Sequence, residues 1–136
     1  MKASAEDQKN RDLEGLPKLA VGHIIHYVAE MERSYSFYTT LGMRTVLKRP
    51  KMAILELRGG THLLLFAKKS VKALTQVKFD LMVDDLEDYR KYLASNGIES
   101  SKPIFEKVSG HYATEIVDPD GAVVPVYSSH TDGRLV

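Results

Sequence analysis

At 136 residues, 43% hydrophobic and 27% charged, the chain has the composition of one soluble globular domain. A domain of that size buries about 70% of its unfolded surface. The 19 basic and 18 acidic residues leave a formal charge of +1, so no long-range field draws the chain to nucleic acid or to an acidic membrane. Cysteine is absent, which excludes disulfides, thiolate metal sites and a cysteine nucleophile.

No apolar run approaches the about 20 residues of a membrane span. Residues 1–17 are polar and mixed in charge, without the apolar core of a secretory leader. The expectation is a cytoplasmic protein. A flexible arm (1–18) and a flexible tail (129–136) are expected on either side of a single domain over 19–128.

Residues 19–28 read as a strand whose alternation sends His23, Ile25 and Tyr27 one way and Ile24, His26 and Val28 the other. Helical spacing of Met31, Tyr35, Tyr38 and Leu41 predicts a helix over 31–41, stopped by Gly42, with Met43 as the apolar contact beyond it. Strands are predicted over 44–48, 52–57 and 61–67, and Arg58-Gly59-Gly60 forms a tight turn because paired glycines accept positive φ. The third of these strands, through Leu63-Leu64-Leu65-Phe66, is apolar on both faces. Residues 68–76 are a polar link, and the basic clusters at 48–51 and 68–69 read as solvated loop charge.

The plan then repeats. A strand over 77–83 leads into a helix capped by Asp84 or Asp85, with Leu86, Tyr89, Leu93 and Ala94 as its buried stripe and Asn96-Gly97 as its stop. Strands over 102–107 and 111–117 follow. The turn Asp118-Pro119-Asp120-Gly121 then leads to a closing strand over 122–127. The order is β-α-β-β-β twice, in modules 19–67 and 77–128. This is an α+β chain: two βαβββ modules pairing into an open, cleft-forming mixed β-sheet barrel with helices outside. A cleft between the concave sheet faces is where function belongs, lined by residues of one strand parity.

Three pieces occur in one order: His23-x-x-x-x-Val28-x-Glu30-Met31-x-Arg33-Ser34-x-x-Phe37-Tyr38-x-x-Leu41-Gly42, then Val83-x-Asp85-Leu86, then Asp118-Pro119-Asp120-Gly121. With the paired βαβββ plan, this ordered set resembles the vicinal oxygen chelate superfamily. That superfamily includes glyoxalase I, the bleomycin-resistance proteins, the fosfomycin-resistance enzymes and the extradiol dioxygenases. The resemblance covers about 19–128. It implies one divalent metal in the cleft, held by up to four side chains from the first and last strands of each half. Imidazole and carboxylate suit zinc, iron, nickel or manganese, with open positions left for a bidentate substrate.

Carried over residue by residue, the resemblance gives His23 as the one metal ligand of the right type. The other three positions fall on Leu64, Lys78 and Pro125. A rearranged centre from His23, His62, Asp80 and Glu115 is the alternative, but two residues along a strand is about 6.6 Å, far beyond a ligand bond. A divalent metal is therefore not favoured, and the cofactor is open. Tyr27, Met82 and Tyr127 would line the cavity, with His23, His62, Leu64, Lys78 and Asp80, as a ligand-binding surface suited to a flat organic molecule. Glu115 is the candidate catalytic base, and Lys78 with Asp80 is either an ion pair or a source of positive charge for an anion. His26, of opposite parity, belongs against the helices or in solvent, outside the site.

Two functions stay open. One is a metal-independent protein of the bleomycin-resistance type, binding a small aromatic or amphiphilic ligand. The other is a metal-dependent lyase, isomerase or dioxygenase built around His23, with Glu115 as base. A noncatalytic partner subunit is a weaker third. A homodimer is implied by the resemblance, and neither nucleic acid nor membrane is an expected partner.

Overall fold

The computed structural model of the protein describes residues 17–71 and 76–129. Most of the expected arm (1–16), part of the link (72–75) and most of the expected tail (130–136) lie outside the described residues. The first module runs β1 His23–Val28, α1 Met31–Leu41, β2 Arg44–Lys48, β3 Met52–Glu56 and β4 His62–Ala67. The second runs β5 Leu81–Val83, α2 Leu86–Ser95, β6 Ile104–Glu106, β7 His111–Val117 and β8 Val123–Ser128.

Each module makes a four-stranded mixed sheet, ordered β1-β4-β3-β2 in the first and β5-β8-β7-β6 in the second. The first and last strands of each module run parallel, and the remaining pairs are antiparallel. The two sheets are open rather than closed, with one helix on one face of each. Among the described residues no helix is long and apolar enough to cross a membrane.

The local signals act as their chemistry dictates. Helix α1 buries Met31, Ser34, Tyr38 and Leu41. It ends at Gly42, whose φ of 122° only glycine adopts without strain. Helix α2 is capped by Asp85, whose side chain accepts from the Asp88 N–H at 3.0 Å. Its buried residues are Leu86 and Leu93, whereas Ala94, expected in the buried stripe, is exposed. Tyr89 is half-buried, and its hydroxyl donates to the Leu41 carbonyl at 2.7 Å. Burial, then the nearby Tyr92, pushes the Tyr89 phenol up to about 12.

The two-sided run in β4 divides as its parity requires. Leu63 and Leu65 are buried under α1, and Leu64 and Phe66 are half-buried on the open face. A continuous core joins these residues to Tyr38, Leu55, Leu93, Ile116, Val124 and Val126.

Three expectations need correction. The strand expected over 77–83 is regular only over Leu81–Val83. Before it, Gln76 bridges Val123 and the Val77 N–H donates to the Val123 carbonyl. Phe79 then turns away to the first module, its ring centroid 5.7 Å from that of His26 and 6.3 Å from that of Tyr38. That turn takes the segment off the β8 ladder. Second, Ser129, expected in the flexible tail, is buried, its hydroxyl donating to Asp84 at 2.9 Å and its N–H to the Val83 carbonyl at 2.7 Å. Third, of the two readings left open for Lys78 and Asp80, the ion pair is not formed among the described residues.

The turn 118–121 does more than reverse the chain: it clamps the modules together. Asp118 is buried and accepts at Oδ2 from the Tyr38 hydroxyl at 3.0 Å, with the His26 Nε2 on the same oxygen at 3.2 Å. Its Oδ1 accepts from the Asp120 and Ala122 N–H groups. Asp120 meets the start of α1, accepting from the Ala29 N–H at 3.1 Å and from Arg33 Nη2 at 2.9 Å. Helix α1 has no side-chain cap of its own at Glu30, so a carboxylate from the other module stands near its positive end.

Candidate functional site on the open sheet faces

With α1 and α2 on one side, the other face of each sheet stays open, and the registers set its side chains in rows. Across the first sheet runs a polar row, His23–His62–Glu56–Arg44, then an apolar row, Ile25–Leu64–Ile54, then Tyr27–Phe66–Met52. The His23 and His62 ring centroids are 5.7 Å apart and those of Tyr27 and Phe66 are 6.1 Å apart. Glu56 is held by Arg44 in an ion pair. Strand pairing, rather than sequence spacing alone, brings these residues together.

Across the second sheet the matching row is Met82–Tyr127–Ala113–Ile104. Asp80, Met82 and Tyr127 line a hollow of about 410 Å³ with Glu106 and His111. The His111 and Tyr127 rings meet edge to face at 6.2 Å. Glu115 is exposed, directly opposite Pro125 in the ladder, with its backbone N–H bonded to the Ser101 hydroxyl at 2.9 Å. Lys78 lies elsewhere, in a groove of about 460 Å³ with Ile25, Tyr27 and Lys68. The expected ligand-binding residues thus fall into three groups. These are the imidazole pair His23 and His62, the groove of Tyr27 and Lys78, and the hollow of Asp80, Met82 and Tyr127. Leu64 sits in the apolar row between the first two.

The residues present do not fit the metal that this fold implies. His23 has one imidazole neighbour, His62, while Leu64 and Pro125 offer no donor atom and Lys78 offers a cation. Among the described residues no three His, Asp or Glu side chains come together as a metal site. The rearranged centre of His23, His62, Asp80 and Glu115 is not assembled: only His23 and His62 are neighbours, and among the described residues neither Asp80 nor Glu115 joins them in a metal-holding group.

Two features of this region were not read from the sequence. His26 is buried at the module junction on Asp118, between the rings of Tyr38 and Phe79. Its parity placed it on the helix side, but nothing local pointed to a partner 92 residues away. Lys68, read as solvated loop charge, holds its ammonium 4.0 Å from the centre of the Tyr27 ring. The signal was available: position 68 continues the inward parity of 62, 64 and 66.

A paired βαβββ architecture with two open sheet faces defines a small α+β protein. The family model described as the Glyoxalase/Bleomycin resistance protein/Dioxygenase superfamily matches residues 20–126, so the chain belongs to that superfamily and has the vicinal oxygen chelate fold. Solved structures of the same fold include an integron cassette protein from the mobile metagenome of Halifax Harbour Sewage Outfall. It is 22% identical with a TM-score of 0.71, covering 80% of this chain and 97% of the other. TnmS3, an antibiotic binding protein from Streptomyces sp. CB03234, is 19% identical with a TM-score of 0.69, covering 83% and 98%. A lactoylglutathione lyase from Agrobacterium tumefaciens is 22% identical with a TM-score of 0.67, covering 82% and 94%. No curated protein matches the chain.

Proposed function

We propose that this protein binds a small aromatic or amphiphilic organic molecule on its open face, without a metal at the positions its superfamily uses. One contrast supports this reading. Three of the four ligand positions hold Leu64, Lys78 and Pro125, while the open faces keep Ile25, Tyr27 and Phe66 on the first sheet and Met82 and Tyr127 on the second for flat apolar contact. That the similar TnmS3 is an antibiotic binding protein is in keeping with it. Equilibrium binding against a broad set of aromatic metabolites and drug-like compounds is the test, and silence across the set would remove the proposal. Tyr27→Ala is expected to weaken any such ligand about tenfold, the loss of one aromatic contact and its buried area, read by calorimetric titration.

A second reading rests on the His23–His62 pair. A metal-dependent lyase, isomerase or dioxygenase would use these two imidazoles as ligands and Glu115 as base. Stoichiometric transition metal in protein purified without a chelator or a histidine tag would favour it.

We also propose a homodimer, supported by apolar side chains left in water at the outer edge of the second sheet. Ile104 is 72% exposed and Val108 96%, and on the opposite face of the same edge Phe105 and Tyr112 are about half exposed. A monomer seldom leaves so much apolar surface along one edge uncovered. Light scattering on a sizing column is expected to give twice the 15.3 kDa chain mass. Phe105→Glu with Tyr112→Glu is expected to shift it to one chain mass. A wild-type monomer at micromolar concentration would contradict the dimer.

A further inference from the structure

We propose that the groove beside Tyr27 takes an aromatic acid, its ring on Ile25 and Tyr27 and its anionic group between Lys68 and Lys78. This rests on the small-molecule reading above and adds the charge of the ligand.

The groove is a recess of about 460 Å³ where the end of β4 and the segment leading into β5 approach β1. Its wall is apolar and aromatic, from Ile25 and Tyr27, both of them exposed. Its two charges have the same sign and come from the two modules, Lys68 just past β4 and Lys78 ahead of β5. Five other cations are neutralised by carboxylates: Arg33 by Glu30 and Asp120, Arg44 by Glu56, Lys48 by Glu32, Arg58 by Asp84 and Arg90 by Glu87. Among the described residues neither Lys68 nor Lys78 has such a partner. Asp80, the acidic residue on the strand line of Lys78, lines the hollow of the second sheet instead.

Two ammonium groups at the rim of an apolar wall repel each other and attract an anion that can also cover the wall. A carboxylate or sulfonate on a flat ring satisfies both demands. Its oxygens accept charge-assisted hydrogen bonds from the ammonium groups, and its ring replaces water on Tyr27. Lys68 already lies over that ring as a cation over a π face. It can swing to the rim while keeping its stem on the ring, since a lysine stem is long and flexible. A neutral ligand would gain the wall alone, and a cationic one would meet two like charges.

The test is titration of the full-length protein at low ionic strength with three probes sharing one ring system: 1-naphthoate, 1-naphthol and 1-naphthylmethylammonium. Naphthoate is expected to bind about tenfold more tightly than naphthol, with the ammonium weakest, and its advantage should shrink as salt screens the lysines. Lys68→Gln with Lys78→Gln should bring naphthoate down to the affinity of naphthol. Lys68→Arg with Lys78→Arg should keep the preference. Both positions are exposed, and an unchanged melting temperature checks that the variants fold. Equal binding of naphthoate and naphthol by the wild type would overturn the aromatic-acid assignment and leave the small-molecule reading standing. No binding of any naphthalene probe, with no hit in the broader ligand set, would overturn both.

Discussion

Replacing Asp118 with alanine is expected to cost about 3–5 kcal/mol, the penalty for breaking a buried, hydrogen-bonded charged group. The variant removes the acceptor of His26, Tyr38 and two backbone N–H groups at once, in a side chain that is 1% exposed. His26 and the Tyr38 hydroxyl are then left buried without their partner. The same carboxylate gives the loss a pH signature. Burial pushes the Asp118 carboxyl up, but the hydrogen bonds from His26, the Ala122 N–H and Tyr38 outweigh burial and hold it below its ordinary value. A carboxyl depressed in the folded state stabilises the fold above its unfolded value. That contribution is lost as pH falls through the folded value. Wild-type stability should therefore decline below about pH 4, and part of that acid limb should vanish in Asp118→Ala. Urea unfolding followed by circular dichroism from pH 3 to 7 reads both effects. An unchanged midpoint at neutral pH would show that the clamp contributes nothing.

Leu93→Ala is expected to cost about 3 kcal/mol, the lost transfer of three heavy atoms plus the cavity they leave. Leu93 is fully buried, at the heart of the second module, but its core is continuous with that of the first. The junction is tied by Asp118 and Asp120, and by the Tyr89 and Tyr92 hydroxyls bonded to the Leu41 and Thr40 carbonyls. One cooperative transition should persist in this variant at a lower denaturant midpoint. Two separated transitions would mean that the modules unfold independently despite those contacts.

Much of this fold is written in short-range chemistry. The bounds of α1 follow from apolar spacing and from Gly42, and the start of α2 follows from Asp85. The repeat of that grammar announced two modules before any strand was paired. The places where local reading fell short share a cause. Phe79 leaves its strand because the ring packs against both His26 and Tyr38 in the other module. Ser129 is buried because Asp84 and Val83 bind it after the strand pattern has ended. Ala94 is small enough to sit on either side of a helix boundary, and periodicity alone put it inside.

The site was legible in the same uneven way. Strand parity placed His23, Tyr27, His62, Leu64, Met82 and Tyr127 on open faces. It did not say which of them would be neighbours, since that depends on register. Register joins His23 to His62, and among the described residues neither Asp80 nor Glu115 joins them in a metal-holding group. The junction hub of His26, Tyr38 and Asp118 links positions 80 and 92 residues apart, a distance over which local patterning carries no information.

Metal-independent ligand binding is tested most directly by one paired titration. The same protein is titrated calorimetrically with 1-naphthoate, or with any stronger ligand from the broad set, before and after exhaustive treatment with a chelator, with metal content measured on both samples. Equal affinity in the two titrations, with no stoichiometric transition metal in the untreated sample, is the expected result. Binding that disappears on chelation and returns with zinc, nickel, iron or manganese would contradict it and make the His23–His62 pair a metal centre.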